Sequence, residues 1–108
     1  PLADLEFRLG ARGLGIEVAL SLVDDDSSWV FLGRDPGTRI ATPSFESAME
    51  KAGWRVGARA TRAGQALSCF ARWNRDVCFL REPGGNVVVS SGAAGAIFGK
   101  LIAGTFPV

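Results

Sequence analysis

Arginine and aromatic side chains recur together along this chain in a pattern that suits an anionic ligand with flat rings. Arg8, Arg12, Arg55 and Arg59 fall on the polar positions of alternating runs, opposite Phe7, Leu9, Trp54 and Val56. Arg72, Trp73, Arg75, Phe79 and Arg81 follow in the second half. Guanidinium groups neutralise phosphates and aromatic faces stack on unpaired bases, the combination behind sequence-tolerant binding of single-stranded nucleic acid. The expected site is therefore nucleic-acid-binding, made of Arg8, Arg12, Arg55, Arg59, Arg72, Trp73, Arg75, Phe79 and Arg81, with Phe31 as a further stacking group.

Other chemistry is poorly supplied. The chain has no His and no Tyr, which removes the commonest general base, the commonest metal ligand and one phenolic acid. No nucleophile stands beside a base in the sequence, so no enzyme is expected, and no cofactor or metal. Asp24, Asp25 and Asp26 are adjacent acids without the spacing or glycine of a calcium loop. Cys69 and Cys78 fall where two strands of a hairpin would face each other, as a reduced pair in the core or as a disulfide. Pro1 as a catalytic amine has no supporting sequence around it.

Charge is unevenly distributed. Residues 1–53 carry four Arg and one Lys against nine acids, and residues 54–108 carry six Arg and one Lys against two. That asymmetry fits a protein with one face toward an anionic partner, which is either nucleic acid or an acidic protein surface. The second reading makes the chain a protein-interaction module, such as an inhibitor, an immunity protein or a secretion-system component, without nucleic-acid binding.

The elements that would position these residues look duplicated. Phe7-Arg8-Leu9-Gly10-Ala11-Arg12 returns as Trp54-Arg55-Val56-Gly57-Ala58-Arg59, Ala19-Leu20-Ser21 as Ala66-Leu67-Ser68, Phe31-Leu32 as Phe79-Leu80, and Arg34-Asp35-Pro36-Gly37 as Arg81-Glu82-Pro83-Gly84. The expectation is one domain of 108 residues, of α+β class, containing an internal tandem repeat of two ββββα units over about 5–53 and 54–104 that share one core about a pseudo-twofold. In the first unit, Leu5–Leu9 and Ile16–Leu22 alternate as a hairpin, Trp29–Leu32 and Thr38–Ala41 are strands, and Phe45, Ala48, Met49 and Ala52 form one helical stripe between Thr42 and Gly53. In the second, strands fall at 54–60, 65–72, 76–81 and 86–90, and a helix runs from Ser91 to Gly104. Placing Leu22, Val30 and the two Cys in the core turns Phe31 and Phe79 toward the Arg face.

Four antiparallel strands and a helix, present twice, resemble the single-strand-binding group of Whirly proteins and PUR repeats. The resemblance lies in element order and implies binding on the strand faces with helices packed inside. The Gly/Ala-rich stretch from Gly92 to Gly104 has the look of a membrane-active peptide but matches the first helix in the repeat, so it is read as core and membrane partnership is not expected. No signal peptide or spanning segment is apparent, which favours a soluble, cytoplasmic protein, with a homodimer compatible.

Overall fold

The computed structural model describes residues 2–35 and 44–92. They form helix α1 (Leu2–Leu9), hairpin β1 (Glu17–Asp25) and β2 (Ser28–Arg34), helix α2 (Ser44–Lys51), and the strands β3 (Arg55–Arg62), β4 (Gln65–Arg72), β5 (Arg75–Arg81) and β6 (Asn86–Ser91). The strands make one sheet in the order β1-β2-β6-β5-β4-β3, antiparallel at every step. Two short helices and a single six-stranded sheet replace the expected pair of ββββα units. Among the described residues there is no internal repeat: the first half supplies two helices and a hairpin that joins the sheet beside β6, and the second supplies a four-strand meander.

The repeat fails at the stretch on which it was built. Leu5, Phe7 and Leu9 alternate, but Leu2, Leu5 and Leu9 also share one side of a helix, and it is this period that the fold uses. Leu5 and Leu9 are fully buried, whereas Phe7 is 86% exposed. Asp4 and Arg8 form an i,i+4 pair at 3.0 Å on the same helix, an arrangement no strand allows. Gly10, at φ +66°, ends α1: its N–H donates to the Phe7 carbonyl and that of Ala11 to the Glu6 carbonyl, a Schellman cap. Gly53 closes α2 the same way, with Gly53 N–H donating to Glu50 and Trp54 N–H to Met49. Arg8 therefore lies on a helix and Arg12 in a loop, not on a strand face.

The expected hairpin of Leu5–Leu9 with Ile16–Leu22 gives way to β1 paired with β2, in which Leu22 faces Val30 and Ser21 faces Phe31. The segment between α1 and β1 tucks Ala11, Leu14 and Ile16 into the core. The sequence places α2 and the meander well, because Phe45, Ala48 and Met49 are the buried stripe of α2 and β4 has the predicted bounds. The strand expected at Thr38–Ala41, the cap at Thr42 and Pro43, and the last helix beyond Gly92 lie outside the described residues.

Both helices cover one face of the sheet. Leu5 and Leu9 of α1 and Phe45, Ala48 and Met49 of α2 pack in one cluster with Trp29, Phe31, Phe70, Val77, Phe79, Val87 and Val89 from the strands. Phe79 sits at its centre, stacked on Phe45 at 4.4 Å and edge-on to Phe70 at 5.6 Å. Trp54 fastens the end of α2 to the end of α1, since its indole N–H donates to the Leu9 carbonyl at 2.9 Å. Alternation sends Leu22, Val30, Ser90, Cys78 and Cys69 to the second face, in one row across the sheet. Cys69 and Cys78 are disulfide-bonded there, with Cα atoms 4.0 Å apart. The two-residue turn after Arg72 makes theirs a non-hydrogen-bonded pair, where opposed strands come closest.

Phe79→Ala is expected to cost about 3–5 kcal/mol in urea unfolding, as for other buried Phe truncations. Phe7→Ala should stay within about 0.5 kcal/mol, the reverse of what two equivalent repeats would give. Reduction of the disulfide should cost about 2–3 kcal/mol, the loop-closure entropy of a short loop.

Candidate functional site

The residues expected to bind nucleic acid do not form one surface. Phe79 is fully buried, as is Phe31: as large apolar side chains on interior strands, they take the face the helices cover, so neither ring can stack on a base. Most of the arginines edge the helix layer and are held by their neighbours. Arg8 pairs with Asp4 and lies 3.8 Å from Asp26. Arg75 donates to the Asp26 carbonyl. Arg59 meets the buried Glu46 at 3.1 Å, and Glu46 also accepts from the Ser68 hydroxyl. Arg81 lies over the Phe45 ring at 5.8 Å. Arg12 and Arg55 are exposed.

Arg72 is the most constrained of the set. Its guanidinium lies 4.4 Å from the Trp54 ring centre and 5.1 Å from that of Trp73, and it donates to the Ala52 carbonyl at the end of α2. Two indoles and a helix C-terminus thus hold one cation. Trp73 is 88% exposed in the β4–β5 turn at φ +57°, a left-handed conformation that bulky residues rarely adopt. It is the one residue of the expected stacking set that presents its ring to solvent.

Arg59 and Arg81 line one cleft, and Arg8 and Arg75 another. One, of about 310 Å³, lies between α2 and the β3–β4 edge and is lined by Glu46, Glu50, Arg59, Thr61, Ser68 and Arg81. The other, of about 270 Å³, is bounded by Asp4, Phe7, Arg8, Asp26 and Arg75. Acids accompany the arginines in both, so neither offers the uniformly positive groove that follows a nucleic-acid backbone. Among the described residues, no three His, Cys, Asp or Glu side chains come together to hold a metal ion, and no helix is long and apolar enough to cross a membrane.

Apart from Phe7 and Trp73, the large exposed apolar side chains among the described residues lie together elsewhere. Leu20 is 50%, Leu22 61% and Val23 45% exposed, all on β1, which has no strand on its outer side among the described residues. Leu20 and Leu22 stand on the face away from the helices, in the rows of Leu32 and Val30, and Val23 on the helix face opposite Trp29. β1 also carries Glu17, Asp24 and Asp25 and no basic residue. The expected site omitted this strand because alternation reveals which residues share a face but not which strand ends the sheet.

Asp25 closes the strand through a tight turn. Its Oδ1 accepts from the Ser27 hydroxyl and from the Ser27 N–H, each at 2.7 Å. The hydroxyl bond, then the backbone bond, hold its carboxyl below its ordinary pKa of 3.8. A carboxylate favoured by the native turn stabilises the fold above that pH and ceases to do so as the pH falls through the lowered value. Carboxyl-carbon NMR titration should give Asp25 a midpoint below 3.8, and Ser27→Ala should raise it toward the ordinary value.

No protein-family model, curated protein or solved structure matches this chain.

Proposed function

We propose that the chain is a non-enzymatic protein-interaction module that recognises its partner by strand addition along β1. The observation that carries this reading is the exposure of Leu20, Leu22 and Val23 together on one edge strand. Monomeric sheets usually blunt such edges with charge, proline or a cover. Main-chain hydrogen bonds along a free edge supply affinity, and the side chains above and below it supply selectivity. The acids Glu17 and Asp25 are exposed at the two ends of β1, so the complementary segment is extended, apolar in its middle and basic at its ends.

The engagement of Arg8, Arg59, Arg72, Arg75 and Arg81 with acids, carbonyls and rings of the same chain also favours this reading. A phosphate would have to displace those partners or share the cations with them.

NMR titration at low salt separates the two ligand classes. A peptide of alternating valine and lysine should shift the amides of residues 17–25, and Leu22→Asp should weaken the interaction at least tenfold without changing the fold. A short single-stranded oligonucleotide should leave the spectrum unchanged. Oligonucleotide binding whose log affinity falls linearly with log salt, with no response of β1 to the peptide, would overturn the proposal.

A further inference from the structure

Among the described residues the two edges of the sheet are β1 and β3, and their charges are opposite. β1 carries Glu17, Asp24 and Asp25 with no base, while β3 carries Arg55, Arg59 and Arg62 with no acid. Glu17, Asp25 and Arg55 are all exposed. We propose that a second copy of this chain supplies the partner strand, with β3 of one molecule adding head to tail to β1 of the next. This rests on β1 being a recognition strand and names its occupant.

Strand direction permits the pairing. Every neighbouring pair from β1 to β3 is antiparallel, and the sheet has six strands, so β3 runs opposite to β1. A copy displaced sideways along the sheet therefore brings its β1 antiparallel to the first copy's β3. The ladder continues, and the helices of both copies stay on the same face.

Register permits it as well. Val23, Trp29, Ser91, Val77, Phe70 and Val56 form one continuous row across the sheet. Val18, Gly33, Val87, Arg81, Ala66 and Thr61 form another. Extending both rows into the next copy sets Val56 beside Val23 and Thr61 beside Val18. Both edges have an irregularity inside this interval, between Val18 and Leu20 on β1 and between Val56 and Arg59 on β3, so the two ends of the interface stay in phase. Arg55 then falls at the Asp24-Asp25 end and Arg62 at the Glu17 end.

Symmetric alternatives lack this match. β1 paired antiparallel with another β1 puts Glu17 opposite Asp25, and β3 paired with another β3 puts Arg55 opposite Arg62. Like charges directly opposed destabilise a strand pair, so the charges select the unlike edges. A head-to-tail contact of this kind does not close on itself at two copies. With neighbouring strands rotated by about −20 to −25°, six strands turn each copy by roughly −120 to −150° relative to the last, and the product is an open spiral.

Sedimentation velocity over a range of concentrations at low salt tests this. The mean mass of the full chain should climb from the 11.4 kDa monomer past two copies as concentration rises, and fall back in high salt, which screens exposed charge. Glu17→Lys and Arg62→Glu, which this register sets opposite each other, should each weaken association at least tenfold. Their equimolar mixture should restore it, because the new base on β1 of one then meets the new acid on β3 of the other and the native pair forms at the alternate contact. Unchanged thermal unfolding of each variant establishes that folding is intact. A wild-type chain monomeric at ~1 mM, a discrete dimer, or a mixture that stays monomeric would overturn the proposal. If the chain is monomeric and β1 still responds to the valine–lysine peptide, the recognition strand stands and only its occupant is wrong; if neither occurs, both readings fail.

Discussion

β2 and β6 are distant in sequence yet lie side by side inside the sheet, with Trp29 opposite Ser91, Phe31 opposite Val89 and Gly33 opposite Val87. Without this pairing residues 2–35 would be an isolated hairpin and a short helix, and a two-stranded hairpin is marginal in water. With it, Trp29 and Phe31 join Phe79, Val87 and Val89 under one helix layer, and burial of these side chains offsets the entropy of closing so long a loop. The same pairing determines what is exposed. Once β6 occupies one side of β2, β1 has the other and, among the described residues, ends the sheet.

The helices are subordinate to that layer. Each has eight residues, too short to be stable alone in water, and each is bounded by a glycine cap and anchored by two or three apolar side chains. Trp54 ties them together: its N–H satisfies the last carbonyl of α1, and its ring carries Arg72, whose own N–H groups reach the end of α2. A single hydrogen-bonded indole and one guanidinium thus satisfy carbonyls at both helix ends that would otherwise be left without donors. The arginines that look like ligand contacts in the sequence are, in this part of the molecule, connections between layers.

Legibility of the sequence follows the range of the interactions involved. The meander from β3 to β6 could be read because each of its turns is local and each strand pairs with its neighbour; Ala63-Gly64 and Pro83-Gly84-Gly85 mark two of these turns. The same six-letter pattern was misleading at the start of the chain. Gly10 in Phe-Arg-Leu-Gly-Ala-Arg is a left-handed helix cap, whereas Gly57 in Trp-Arg-Val-Gly-Ala-Arg lies in an irregular part of β3, where a Cβ would meet the Cys69 carbonyl oxygen at 3.3 Å. Five or six residues contain too few periods to distinguish 3.6 from 2; one more turn upstream, with Leu2 and Leu5, decides it.

The candidate surface was harder to read than the fold for a related reason. Leu20, Leu22, Val30 and Leu32 are equally apolar and equally alternating, yet the first two are exposed and the second two half-buried, because β2 has neighbours on both sides and β1 on one. Exposure here is a property of strand order, and strand order was settled by the long-range pairing of β2 with β6 rather than by any residue of β1. The charge contrast between the halves of the chain, by contrast, was visible from the start. It acquires a geometric meaning only when the acidic and basic segments prove to be opposite edges of one sheet, where complementary charge sets the relation between neighbouring molecules instead of the character of one ligand-binding face.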